Sequence, residues 1–407
     1  MEVTRAYKTE LKVNNRLRSL LRKHCGTARF TYNWGLSQVQ KHYEETKGFQ
    51  GAIELHKLLN SLKKSEFPWM YEVSKCAPQE ALRDLEKAFK AFFRRVKAGE
   101  NPGYPKFKKR GQKESYRLTG AIRPIGERYI KLPILGKVKT FEKNWLPEKA
   151  KVLSATVSQQ ADRWFVSVLV KEEIPDTEPI IHGDTIGVDL GCKHLAVTSV
   201  DYLFEDGYCK NPKAFRSLEQ KLARQQRSHS RKQKGSNNRN KSKKKIAKTH
   251  YKISCIRKDA IHKMTSALAK AKPKAVVIED LAVKNMVKNR RLAKSISDAA
   301  FGTIREYLTY KCLWAGSELA VAPRFFASSK TCSNCGNKKD DLKLSDRIYH
   351  CSSCGFTLCR DKNAAINLVN WYNTVSSTGI NACGDVPLGT SMKQESNKNF
   401  ELGSTSV

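Results

Sequence analysis

Hydrophobic and polar positions change period several times along the chain, and each change predicts an element. Residues 1–10 alternate, with Val3, Arg5, Tyr7 and Thr9 on one side, which predicts a first strand. From about Asn14 to Lys47 the spacing turns helical, Leu17, Leu20, Leu21 and Cys25 leading into Ala28, Phe30, Tyr32, Trp34 and Leu36. A second helical block covers Ala77 to Lys97. Its apolar face includes Leu82, Leu85, Phe89, Phe92 and Val96, and its other face carries Arg83, Lys87, Lys90 and Arg94. The turn cluster Asn101-Pro102-Gly103-Tyr104-Pro105 stops it. Strands are then predicted at Tyr116–Thr119, Tyr129–Leu132, Val138–Thr140, Val152–Gln159 and Trp164–Lys171, the last two as a hairpin. A small β-barrel built from residues 1–10 and 115–172, with the helices inserted, accommodates this order. Glu172–His182 reads as a linker.

The next region opens with Thr185-Ile186-Gly187-Val188-Asp189-Leu190-Gly191, then Leu195–Val200 and Tyr202–Phe204, three short strands that fit a meander. Two long helices joined around Gly235-Ser236-Asn237-Asn238 follow, with only thin apolar stripes. Ala275-Val276-Val277-Ile278-Glu279 reads as a buried strand, residues 299–315 as a helix and Glu318–Ala322 as another strand. A further helix begins near Asp361. From about Thr374 the chain is rich in Ser, Thr, Asn and Gly, which predicts a disordered tail.

Charge changes the picture from a generic α+β protein to one that handles a polyanion. The 407 residues carry 76 Lys and Arg against 39 Asp and Glu, a formal charge of +37. Self-repulsion at that level is relieved by DNA or RNA. The excess concentrates between Lys210 and Lys258, where 18 basic residues face one acid, Glu219. Arg224, Arg227, Arg231, Lys232, Lys243 and Lys244 in this block are candidate phosphate contacts; a like-charge block can also stay disordered without its partner. No stretch reaches about 18 apolar residues, so no membrane partner is expected. The start Met1-Glu2-Val3-Thr4-Arg5 has no apolar signal core, which points to a reducing cytosol for the twelve cysteines.

Four of those cysteines have a specific pattern. Cys332/Cys335 and Cys351/Cys354 are two Cys-x-x-Cys pairs separated by 15 residues, each followed by a glycine, Gly336 and Gly355. That spacing is a tetrahedral zinc ribbon, one structural Zn²⁺. Three carboxylates stand where stability does not ask for them: Asp189 in a strand, Glu279 ending an apolar strand and Asp361 opening a helix. Strands converging in one sheet can bring them together, and their repulsion is relieved by Mg²⁺ or Mn²⁺. Such ions can activate water for phosphodiester hydrolysis.

These residues resemble the TnpB family. The resemblance rests on Gly187-Val188-Asp189-Leu190-Gly191, on Ile278-Glu279-Asp280-Leu281 and on Asn289-Arg290-Arg291-Leu292-Ala293-Lys294-Ser295-Ile296-Ser297-Asp298. It continues through Ser328–Gly336, Cys351, Cys354 and Arg360-Asp361-Lys362-Asn363-Ala364-Ala365-Ile366-Asn367, and in the N-terminal half through Ala88–Arg95 and Tyr104–Lys108. It implies an insertion-sequence-encoded, RNA-guided DNA endonuclease related to type V CRISPR effectors. The implied fold is multidomain α+β: a wedge β-barrel (1–13 and 115–182) with an inserted helical recognition domain (14–114). An RNase H-like (RuvC) α/β nuclease domain (183–327) follows, with the basic helical hairpin 210–258. The zinc ribbon (328–357), the last nuclease helix (358–373) and the tail (374–407) complete it.

By the same resemblance, Asp189, Glu279 and Asp361 are catalytic metal ligands. The partners are a transposon-derived guide RNA and a double-stranded DNA target with a short flanking motif, and one nuclease site cuts both strands. A monomer with its RNA, in a prokaryotic cytosol near the nucleoid, is expected. Arg290 and Arg291 join the candidate nucleic-acid contacts, as do Lys75, Gln79 and Arg83 on the second helix. Gln79 could read adenine and Lys75 a base edge or phosphate, or both could cap and solvate the helix. The family's usual Asp-Arg-Asp is Cys359-Arg360-Asp361 here, which keeps the ligand and loses its neighbour. A compact type V CRISPR effector, and a guided DNA-binding repressor with weak or lost cleavage, are the alternatives.

Overall fold

The computed structural model describes residues 2–147, 150–175, 177–343 and 345–377. The chain forms two compact units, one of Met1–Asp176 with Gln225–Tyr251, the other of Thr177–Arg224 with Lys252–Val407.

In the first unit, β1 (Glu2–Leu11) is followed by α1 (Asn15–Thr46), α2 (Ala52–Lys63) and α3 (Cys76–Lys97). Strands β2 (Ser115–Leu118), β3 (Arg123–Ile125), β4 (Tyr129–Leu132), β5 (Gly136–Lys139), β6 (Lys151–Gln160) and β7 (Arg163–Glu173) follow. The Asn14 side chain accepts the Leu17 N–H at 2.8 Å and so starts α1. β1 pairs antiparallel with β7 along its whole length, from Glu2↔Glu173 to Leu11↔Trp164. The alternation of residues 1–10 is what that register needs, since it buries one face only. The strands of the expected barrel form two sheets, β1-β7-β6-β2 and β3-β4-β5, tied by a bridge at Leu11↔Thr140. One core serves both sheets and the helices: Leu21, Leu36, Leu55, Leu82 and Leu85 pack with Leu118, Ile130, Val157 and Val168. Helix α2 is absent from the sequence reading because it buries only Ala52, Leu55 and Leu59, a stripe too short to declare a period.

The basic block is helical: α4 (Ala214–Ser230) and α5 (Asn237–Lys270). Within the first unit they are joined by polar rungs, Thr249 to Gln225 at 2.8 Å and His229 to Ser242 at 2.7 Å. Arg239 closes the turn on the carbonyls of His229 and Lys232, at 3.3 and 2.6 Å. In this part of the two helices polar pairs supplement a thin apolar stripe.

The second unit is a five-stranded sheet in the order β10-β9-β8-β11-β12, made of β8 (Thr185–Asp189), β9 (His194–Thr198), β10 (Tyr208–Lys210), β11 (Ala275–Glu279) and β12 (Glu318–Ala322). β8, β11 and β12 are parallel, β9 runs antiparallel to β8, and β10 runs antiparallel to β9. The third strand of the meander is thus Tyr208–Lys210 and not Tyr202–Phe204. Asp206 at φ 52° and Gly207 at φ 78° form a left-handed turn just after Phe204, and Thr198 donates to the Gly207 carbonyl at 3.1 Å. That turn delays the return of the chain by several residues.

Between β11 and β12 come the short α6 (Val283–Met286), α7 (Ala293–Ala299) and α8 (Phe301–Ala315). Ala300, at φ 53°, breaks the last two. The cysteine segment carries β13 (Ile348–His350) and β14 (Thr357–Cys359), and α9 (Arg360–Ser377) packs on the sheet through Leu368 and Tyr372. Residues 374–377, expected in the tail, continue this helix; the rest of the expected tail, with Cys383, lies outside the described residues.

Candidate active site

β8 and β11 are adjacent and parallel with Val188 opposite Ile278, so the next residues, Asp189 and Glu279, end neighbouring strands at the same edge of the sheet. Ligand clefts of parallel sheets open at this carboxyl edge. The third acid arrives by a close helix–strand contact. A Cβ on Gly187 would lie 1.9 Å from the Ala365 carbonyl oxygen, so only glycine lets α9 lie this close to β8. Asp189 is two residues beyond Gly187, on the same strand face. Asp361 is one helical turn before Ala365. The contact therefore brings the two acids to one place, and Asp189, Glu279 and Asp361 all line a cavity of about 340 Å³.

Asp189 feels the other two. Burial, then Glu279, then Asp361 push its carboxyl well above the usual range, with Arg360 opposing. Burial also raises Glu279, which accepts a hydrogen bond from the Ser328 hydroxyl. Arg360 donates to Asp361 through Nη2 at 3.1 Å and Nε at 3.3 Å. Three acids that disfavour each other's ionisation, in a cavity also lined by Lys193, Lys330, Lys343 and Arg347, form a donor set suited to hard divalent cations beside a phosphodiester. The fit is chemical: all-oxygen ligands whose mutual repulsion Arg360 offsets only in part.

Sequence reasoning gave no role to Ser328 or to the asparagines of α9, which hydrogen-bond around the three acids. Asn367 Nδ2 donates to the carbonyls of Ser328 (2.7 Å) and Thr331 (2.6 Å). Asn363 donates to Thr331 at 2.7 Å and accepts the Ser333 N–H at 2.9 Å. Both asparagines are buried. A ladder at i, i+4 thus fastens the loop carrying Ser328, and the first cysteine knuckle behind it, to the helix carrying Asp361. The signal was present in the Asn spacing of α9, but its partners lie 30 or more residues away.

The four cysteines converge as expected, their sulfurs all within 4.8 Å of one another. The Cys332–Cys354 and Cys335–Cys351 separations are 3.8 and 3.6 Å. A tetrahedral ion with metal–sulfur bonds of about 2.3 Å needs edges of about 3.8 Å. The backbone amide of Cys354 holds the Cys351 thiol down to about 6, which favours the thiolate a metal binds. Among the described residues this is the one group of three or more His, Cys, Asp or Glu drawn so tight; the three carboxylates stand further apart.

Residues 165–290 match a family model described as "Probable transposase", residues 301–368 one described as "Cas12f1-like, TNB domain". A Streptomyces pristinaespiralis protein named "Putative RNA-guided DNA endonuclease" is 35% identical over 94% of this chain and 92% of its own length. "Putative RNA-guided DNA endonuclease InsQ" of Escherichia coli K12 is 31% identical over 97% and 98%. The chain belongs to the TnpB family.

Its fold resembles the protein of a solved Cas12f1–sgRNA–target DNA complex, at TM-score 0.54 and 13% identity over 91% of this chain and 99% of that one. Residues 1–48 also match a model described as "Helix-turn-helix domain". In this TnpB-family chain they form one strand and one continuous helix instead.

The expected nucleic-acid contacts of this TnpB relative lie in both units. Lys75 is exposed at the start of α3 and Gln79 half-buried one turn on. Arg83 donates to the buried Glu80 at 2.7 Å, so part of its charge is already committed. Arg224, Arg227, Arg231, Lys243 and Lys244 are exposed along α4 and α5, and Lys232 is half-buried in their turn. Arg290 and Arg291 are exposed in the segment before α7. Cys359 is half-buried, and the hydroxyl of Tyr208 bonds to it; burial and this thiol raise the Tyr208 pKa.

The Gly187 contact can be tested alone. Gly187→Ala is expected to cost about 3 kcal/mol or more, since backbone and not a side-chain tip must yield. Urea unfolding checks this, and a midpoint within error of the parent would show that α9 does not lie this close to β8.

Proposed function

We propose that this chain is a metal-dependent, RNA-guided DNA endonuclease. Kinship to the TnpB relatives supports the guided-nuclease class. The observation that carries the chemistry is the meeting of Asp189, Glu279 and Asp361 at the carboxyl edge of a mixed sheet, in a cavity whose lining also includes Lys193, Lys330, Lys343, Arg347 and Arg360.

In this reading the second unit is the RuvC-type nuclease domain with the Cys332–Cys354 zinc ribbon inserted, and the two sheets of the first unit are the wedge with its helical recognition insert. Guide RNA pairs with target DNA next to a short motif, and α4 and α5 hold phosphates of the duplex. Asp189, Glu279 and Asp361 would hold divalent cations, which would supply Lewis acidity and activate a water. Ser328 orients Glu279, and Arg360 holds Asp361 in place before the ions load. Lys193, Lys330, Lys343 and Arg347 attract the scissile phosphodiester. Both strands pass through the one site in turn, and the working unit is one protein with one RNA in a prokaryotic cytosol.

Purification from the native locus, sequencing of the co-purified RNA, and incubation of matched DNA with Mg²⁺ test the proposal. Double-strand breaks at matched DNA are expected, with none in EDTA. Intact matched DNA under a full set of flanking sequences would overturn the reading in favour of guided binding without cleavage.

A further inference from the structure

Beside the carboxylate cavity lies a second, smaller one of about 170 Å³ with the opposite chemistry. At about 30 Å³ per water it has room for roughly five or six waters. Four cations line it, Lys213, Arg216, Arg291 and Lys294, with two acids, Glu219 and Asp298. Both acids are already engaged. Glu219 accepts from Lys294 at 2.6 Å. Asp298, largely buried, accepts from Arg257 at 2.8 Å and from the Phe215 N–H at 3.0 Å. Lys213, Arg216 and Arg291 are left without an acidic partner among the described residues. Three exposed cations facing one concavity repel one another, and an anion seated among them would relieve that repulsion.

The rim is built, not incidental. Lys213 sits at φ 46°, a left-handed conformation that a side chain of this length rarely adopts. The Asn211 side chain holds it there, accepting the Lys213 N–H at 2.9 Å while donating to the Cys192 carbonyl at 2.9 Å. Cys192 borders both cavities. The strain thus fastens a cation to the wall shared with the carboxylates, and strain of this kind collects at functional positions.

We infer that this cavity binds a phosphodiester group of the DNA strand being cut, outside the scissile bond, through Lys213, Arg216 and Arg291. The inference rests on the proposed nuclease reading. A strand whose scissile phosphate lies against the three acids carries further phosphates on either side of it, and the adjoining wall offers Lys213, Arg216 and Arg291 to one of them. The group holds the strand in register with the acids, so the three side chains position substrate and do not touch the reacting atoms.

The test uses full-length, guide-loaded protein and matched DNA in which single phosphates near the cut are replaced, one at a time, by uncharged methylphosphonate. Wild type and Arg216→Gln/Arg291→Gln are compared, each scored for binding and for cutting. Wild type should lose about ten- to a hundredfold in cutting at one position outside the cut bond, the size of one charge-assisted contact. The double variant should show that loss on unmodified DNA and no further loss at that position. Its DNA affinity should also depend less steeply on salt. Equal position-by-position sensitivity in variant and wild type would overturn the inference, as would a variant that loses guide RNA but retains its DNA contacts. Should wild type cut nothing, the nuclease reading fails. The binding scan then decides the cavity alone: loss of one position's sensitivity in the variant upholds it, and an unchanged scan overturns it. Lys213→Gln, a separate exposed residue, should reproduce the pattern and guards against misfolding of the double variant.

Discussion

Asp189→Ala is expected to abolish cleavage while leaving guided DNA binding within about twofold. Asp189 ends β8 beside Glu279, and Asp361 is brought to it by the Gly187–Ala365 contact. Removing one of three oxygen ligands forfeits charge stabilisation worth several kcal/mol; about 4 kcal/mol is roughly a thousandfold in rate. Binding is carried elsewhere, by base pairing and by cations along α4 and α5, so it should persist. Stability supplies a second, independent readout. The Asp189 carboxyl is raised well above its ordinary range by burial and by Glu279 and Asp361. A carboxyl raised in the folded state favours the protonated form there. Its ionisation therefore opposes folding once pH exceeds the unfolded value, increasingly up to the folded one. Metal-free Asp189→Asn should then melt higher than the parent at neutral pH, and the difference should shrink as pH falls toward the unfolded carboxylate range. A structural acid would give the reverse, a lower melting temperature with cleavage partly kept. Cleavage within tenfold of wild type would remove Asp189 from the site altogether.

The site was legible in the sequence where its information is local. An acid ending the run Ala275–Glu279 and two Cys-x-x-Cys pairs at ribbon spacing need no knowledge of distant partners, and the cysteines meet as that spacing requires. The convergence of Asp189, Glu279 and Asp361 required a guess about strand pairing; in the folded chain β8 and β11 pair in parallel with Val188 opposite Ile278. Long-range features were not legible. Nothing near Ser328 announces Glu279, 49 residues earlier, and nothing near Lys213 announces Arg291. Apolar runs misled where turn chemistry intervened: Tyr202-Leu203-Phe204 looks like a strand, but Asp206 and Gly207 place the chain reversal after it. The short α2 escaped because three buried residues cannot define a helical stripe. Pattern gives elements and local ligand sets; side-chain partnerships belong to the folded chain.

Removing the expected zinc should disable the site from a distance. The ribbon's own core is Cys332, Tyr349 and Cys351, with Leu342 and Phe356 packed partly against it. Its strands β13 and β14 are three residues each. So small an element cannot fold on apolar burial alone. A structural zinc contributes about 10–16 kcal/mol in comparable small domains at neutral pH, far more than this core could replace. The ribbon is also fastened to the catalytic helix: Asn363 and Asn367 bond Thr331, Ser333 and Ser328, and Ser328 bonds Glu279. Unfolding it would release the Ser328 loop and let Glu279 turn from Asp189. Metal analysis should find about one zinc per chain, lost in Cys332→Ser. That variant should be cut by protease within residues 328–357 and should lose cleavage more than about tenfold, the upper range of effects from loosened supporting contacts around a metal site being about a hundredfold. The rest of the second unit should stay folded, because its sheet and α8 form a separate core around Ile186, Ile278, Ile304 and Leu308. A zinc-free protein with unchanged protease resistance and full activity would show that the four thiols hold the ribbon without an ion.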